Sequence, residues 1–271
     1  MNRFALLTVF IVAILLTACK KEATTTEIDP NRKGSIMLYF DNRAGAQDLV
    51  LNSSSYQTAL GQDLTVSKFN YYISNIKLVN KDGSTYTYPK DDSYFLIQES
   101  DASSQSIKLS NVPEGDYSDI VFTLGVDSIK SVSKIAERTG VLDPSAGAAD
   151  MYWGWNSGYI FLKMEGSSSF APLDSTTMQR PVEYHIGLFG LNGATNNLKT
   201  ITIPFNGVYA SVRQAKTNAP EAHFFVDVLK VVNGSSNIDF SVEPSVLSDK
   251  NSVNLANNYR EMFSLDHVHN E

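Results

Sequence analysis

The 271-residue chain is poor in the residues that usually announce chemistry. It has one cysteine, Cys19, so no intrachain disulfide can form, and a thiolate metal site or cysteine nucleophile within the folded part is excluded. It has four histidines and two tryptophans, few enough to weigh singly. No block of basic residues occurs and the net charge is −7, which argues against nucleic-acid binding and leaves only a weak, unspecific attraction for cations. After the first residues no apolar run is long enough for a transmembrane helix. There is no phosphate loop and no dinucleotide fingerprint. The segment Gly154-Trp155-Asn156-Ser157-Gly158 only superficially resembles a nucleophile elbow, because its glycine is one place too far from the serine. The carboxylates offer no recognisable catalytic pair. An enzyme is not expected.

What is present begins with a targeting segment. Asn2-Arg3 is a short basic start, and Phe4 to Leu16 is an apolar stretch too short for a permanent span. It ends in Leu16-Thr17-Ala18-Cys19, which resembles a bacterial lipobox. Residues 1–18 therefore read as a lipoprotein signal peptide and Cys19 as the lipidated residue, with acyl chains supplying the anchor. Residues 19–33 are polar, Thr-rich and interrupted by Pro30, as a flexible tether would be. The expected location is the cell envelope, on the periplasmic or surface face of the outer membrane. Residues 34–271 remain as one domain.

That domain reads as strands. Ser35 to Asp41 alternates, with Ile36, Leu38 and Phe40 against Ser35, Met37 and Tyr39. Phe69 to Val79 is the longest strand pattern, and Asp82-Gly83 before Thr85 to Tyr88 is a hairpin signal. Further strands are expected at Tyr94 to Gln98, Ser106 to Leu109, Tyr117 to Val126, Val182 to Leu188, Leu198 to Pro204 and His223 to Val232. Between Asp127 and Gly140 the period changes. Ile129, Val132, Ile135 and Ala136 recur at helical spacing, and Gly140 stands where a C-cap would. A second helix is expected after Ser252, with Leu255, Tyr259, Met262 and Phe263 on one face. Many short strands with one or two short helices predict an all-β, Greek-key β-sandwich.

The stretch with most chemical character is Met151 to Gly166. It holds both tryptophans, Trp153 and Trp155, whose i, i+2 spacing puts both indoles on one face of an extended segment. Such a pair is either a packing slab or a redox feature. Among the histidines, His185 lies inside a strand pattern, where a satisfied structural role is common. His223 begins a strand, where a surface role is the plainer reading. His267 and His269 are also i, i+2, so both rings point one way in an extended segment, which suits a transition metal such as copper or zinc.

Met151-Tyr152-Trp153-Gly154-Trp155 fits the MxWxW motif of the MbnP-like family of periplasmic copper-binding proteins. The chain resembles that family again at Asn156 to Gly166, Tyr71-Tyr72-Ile73-Ser74-Asn75, Gly125-Val126-Asp127 and Tyr184-His185-Ile186-Gly187. It does so once more at Met262-Phe263 with Asp266-His267-Val268-His269-Asn270. The pieces follow in order across nearly the whole domain, and the lipoprotein form is similar to a Bacteroidetes-type branch. The resemblance implies a β-sandwich that binds copper through histidines and a kynurenine made from tryptophan. The oxidation would be performed by a partner di-haem enzyme of the cytochrome c peroxidase type. Opening the indole yields an aniline nitrogen, a neutral donor that suits an imidazole-rich copper site. By that resemblance Trp153 is the first candidate for modification and Trp155 the second. His185, whose motif matches, comes first among the ligands, followed by His267 and His269 and then His223. The competing expectation is a structural or glycan-binding surface lipoprotein without metal, in which exposed aromatics form a stacking platform.

Overall fold

The computed structural model describes residues 27–148, 150–154, 158–247 and 251–270. Cys19, the leader and Trp155 lie outside these. Among the described residues no helix is long and apolar enough to cross a membrane.

The longer strands are β1 (Lys33–Ala44), β2 (Asp63–Asn80), β3 (Tyr94–Gln98), β4 (Ser106–Pro113), β5 (Gly115–Leu124), β6 (Gly158–Ser167), β7 (Pro181–Gly187), β8 (Lys199–Pro204), β9 (Glu221–Asp227) and β10 (Phe263–His269). One sheet runs β10–β9–β1, with β4 and the short Gln47–Asp48 strand on the other edge of β1. The second runs β8–β5–β2–β6–β7 and ends on Ser245–Val246, with β3 paired to β2. The first sheet's β1 and β9 lie parallel, and β9 and β10 antiparallel.

The sheets pack face to face because each strand turns an apolar row inward. On β1 the inward row is Ile36, Leu38 and Phe40, as the alternation predicts. Phe40 meets Phe122 of the opposite sheet edge-on at 6.3 Å and its neighbour Phe224 at 5.3 Å. Phe263 of β10 reaches Phe122 at 5.1 Å and Tyr71 at 5.7 Å. Each such buried ring stabilises the fold by roughly 1.5–3 kcal/mol over leaving it exposed. The molecule is an all-β sandwich.

The segment expected as a helix between Asp127 and Gly140 is different. The Asp127 carboxylate accepts from the backbone N–H groups of Ile129 and Lys130, starting a helix, α1 (Ser128–Ser131), that stops after one turn. Two 3-10 turns follow, at Ile135–Glu137 and Gly140–Leu142. The periodic residues Ile129, Val132 and Ile135 are 68%, 60% and 68% exposed. No core receives the stripe, and an apolar face without a packing partner does not sustain a helix. The Arg138 guanidinium folds back instead, donating to the carbonyls of Ser131 and Ser133.

The second expected helix forms as α2 (Ser252–Tyr259), with Leu255 and Tyr259 buried. Ser252 is its first residue rather than its cap, and Phe263 already belongs to β10. The strand expected from His223 to Val232 ends at Asp227, whose carboxylate accepts from the Leu229 N–H and turns the chain into a 3-10 segment, Val228–Val231. At the other end of the domain, part of the expected tether is fastened down. The Glu114 carboxylate accepts from the Asp29 N–H at 3.1 Å and pairs with Arg32 at 3.1 Å.

Candidate metal centre

On β9 the core-facing residues are Ala222, Phe224 and Val226, which leaves Glu221, His223 and Phe225 on the outward face. His223 is register partner to Tyr39 on one side and His267 on the other. The three rings form a stack across the strands. Tyr39 lies over His223 with centroids 4.6 Å apart and planes at 14°, and His223 over His267 at 4.3 Å and 14°. His269, two residues on, stands edge-on to His267 at 4.5 Å.

The arrangement depends on a β-bulge. In β10 the register moves from His223↔His267 to Phe224↔Leu265, so Asp266 is an extra residue without its own place in the ladder. Before it, Phe263 and Leu265 pack on the core; after it, Val268 packs on the core and His267 and His269 face outward. Strict alternation would put residues 263, 265, 267 and 269 on one face. Because Asp266 is taken up as a bulge and not as a ladder position, both imidazoles stay on the face of His223.

One nitrogen from each of His223, His267 and His269 lies within 4.8 Å of the other two. Metal–imidazole bonds of about 2.0–2.1 Å place two nitrogens at most about 4.2 Å apart. To meet one ion the three must therefore draw together, and the His223 and His267 planes, 14° from parallel, must tilt towards each other. Neutral imidazole suits copper, zinc, iron and nickel. Asp266 Oδ2 is 2.8 Å from Nδ1 of His267, and Glu221 Oε2 is 3.3 Å from Nε2 of His223. The donor set fits a transition metal, and the partly exposed face leaves it a route in.

His185 is not brought to this group. It lies on β7 in the second sheet, with Nε2 2.8 Å from Glu165 Oε1. Glu165 also pairs with Lys163 at 3.4 Å and Lys68 at 3.8 Å, and both lysines hold Asp150, at 2.7 and 2.9 Å. Burial pushes the His185 imidazole below its usual value, with the Lys163 cation acting the same way against the pull of Glu165. For Asp150 burial acts upward, but the two lysines outweigh it and hold the carboxyl below the usual range. The network is closed on itself.

Trp153 forms a short strand with Tyr152 against the start of β6 and is buried. A Cβ added at Gly187 would come within 2.7 Å of its ring, so that glycine makes room for the indole. Trp153 lines a cavity of about 270 Å³ with Val132, Tyr159 and Leu188, and none of the histidines borders it. The structure thus places Trp153 on the second sheet and the three imidazoles on the outer face of the first.

A family model described as MbnP matches residues 33–252. The chain belongs to the MbnP family. Among solved structures, MbnP from Methylosinus trichosporium is similar, with a TM-score of 0.53 over 81% of this chain and 82% of that one at 14% identity, a likeness of fold. No curated protein matches. The matched span of this MbnP-family chain stops before β10, so two of its three clustered histidines lie beyond it.

Several pieces that resembled the MbnP-like family act as joints. Ser74 Oγ donates to the Gly125 carbonyl, and Asn75 Nδ2 donates to Asp127. Burial acts to raise the Asp127 carboxyl, yet Tyr94, Lys90 and Asn75 hold it at about 2. Asn270 accepts from the Ser211 N–H and donates to the Tyr209 carbonyl, pinning the end of β10. Sequence reasoning missed Tyr39, Glu221 and Asp266. The outward phase of Tyr39 was legible; its pairing with β9, a parallel partner far along the chain, was not.

Proposed function

We propose that this MbnP-family chain is an extracytoplasmic, lipid-anchored copper-binding protein serving copper storage, delivery or homeostasis, with His223, His267 and His269 holding the ion. One observation carries the reading: three imidazole nitrogens converge within 4.8 Å on an open sheet face. Copper stands highest among divalent first-row metals in affinity for nitrogen sites. The role is binding rather than catalysis. The lipobox-like sequence at Cys19 supports the anchor and the envelope location.

Trp153 or Trp155 as a kynurenine made by a di-haem peroxidase partner belongs to the same proposal. Trp153 pairs with the second sheet and lines a cavity that none of the histidines borders. Mass spectrometry of tryptophan peptides from native cells checks the modification as loss of one carbon and gain of one oxygen; unmodified peptides for both residues remove it.

Copper titration of the purified protein tests the site. One equivalent is expected to bind, and His223→Ala, His267→Ala and His269→Ala each to weaken it, while His185→Ala leaves it unchanged. Equal binding by the wild type and the three variants would sink the assignment.

A further inference from the structure

We infer that Asp266 is the positioning residue of the three-histidine group, fixing His267 as the Nδ1–H tautomer so that Nε2 is its donor atom. The inference rests on reading that group as a metal site. An ionised carboxylate only accepts hydrogen bonds, so its 2.8 Å contact with Nδ1 puts the ring proton there. A neutral imidazole carries one such proton, and the lone pair is then left on Nε2.

The bulge gives Asp266 this part. As the extra residue of β10 it has no ladder position of its own, and its carboxylate sits beside the ring that follows it in the chain. One residue thereby does two things. Taken up as a bulge it leaves the imidazoles on the outward face, and it sets which nitrogen of His267 can meet an ion. The carboxylate also makes the imidazole a more basic ligand. Glu221 is a looser counterpart for His223, at 3.3 Å from Nε2.

The metal-free protein, labelled with nitrogen-15 in histidine, tests this by proton–nitrogen correlation at a pH where the rings are neutral. Wild type is expected to show His267 as Nδ1–H, and Asp266→Ala to shift it towards Nε2–H. Asp266→Asn, which keeps the side chain's shape, is the second variant and is expected to show a mixed population. Titration with Cu(II) is expected to show about 10–100-fold weaker binding for Asp266→Ala. A wild-type His267 already in the Nε2–H form, or Cu(II) affinity within about twofold in both variants, would overturn the inference. The two readings separate cleanly. If the protein binds no copper but the tautomer shifts in Asp266→Ala, the metal reading fails and the positioning stands. If His267→Ala loses copper and the Asp266 variants do not, the metal reading stands and the positioning fails.

Discussion

The outward faces of the two sheets carry histidine beside carboxylate in opposite ways. On the second sheet His185 meets Glu165, which meets Lys163 and Lys68, which hold Asp150. Every charge has an opposite within reach, and the Lys163 side chain is only 8% exposed. On the first sheet three imidazoles face one another, with carboxylates at the outer edges of two and no lysine or arginine ion-paired to Asp266 or Glu221 among the described residues. A cation is already built into one arrangement and is missing from the other. Residue type alone does not separate a structural histidine from a ligand; the charges placed around it do.

Separating copper binding from stability is the strongest way to break that contrast. Replacing His223, His267 and His269 together by Ala should reduce copper affinity by well over about 100-fold, beyond the usual effect of losing a supporting group. The same variant should lose in urea unfolding only the cross-strand ring contacts, about 0.2–1 kcal/mol for each pair, with no core residue disturbed. Lys163→Met should do the reverse, leaving copper titration untouched. Loss of a buried cation from Asp150 and Glu165 would cost about 3–5 kcal/mol in a dry site, and the half-exposed Asp150 brings this to about 2 kcal/mol. Urea unfolding measures it, and an unchanged midpoint would show the network to be ornamental.

The smallest effect sharpens the comparison through pH. His185 is held below its ordinary value in the folded chain, so the unfolded chain binds the proton first as pH falls. Its stabilising contribution is whole above about 6.5 and is lost as pH drops through the folded value. His185→Gln should therefore flatten part of the stability decline as pH falls below about 6.5, read as a smaller shift in urea midpoint. A wild-type and variant pair with parallel profiles would remove His185 from the acid response.

The strands were legible because alternation writes them directly. Ile36, Leu38 and Phe40 alternate with Ser35, Met37 and Tyr39 in the sequence, and the first set is buried. The region from Asp127 to Gly140 misled for the complementary reason. Ile129, Val132 and Ile135 have helical period, but the period shows only that a stripe exists, not that anything covers it. For the site, the i, i+2 spacing of His267 and His269 correctly put the two rings together. It could not show which face they share, because the bulge at Asp266 appears only when β10 is laid against β9. His223 joins through a pairing more than forty residues away along the chain, and such partners leave no local trace. His185 drew attention through its motif, whereas its environment is decided by Lys163, its cross-strand neighbour.

The insertion at Asp266 has a consequence for how this scaffold can vary through descent. Deleting that one codon would leave Leu265 inward and His267 and His269 outward and remove only the carboxylate. One further residue taken up after it without a second bulge would instead turn those imidazoles towards the core and Val268 into solvent. Within one architecture, then, capacity for an ion can be gained or silenced by a change in length with no ligand replaced, and a count of histidines would miss it.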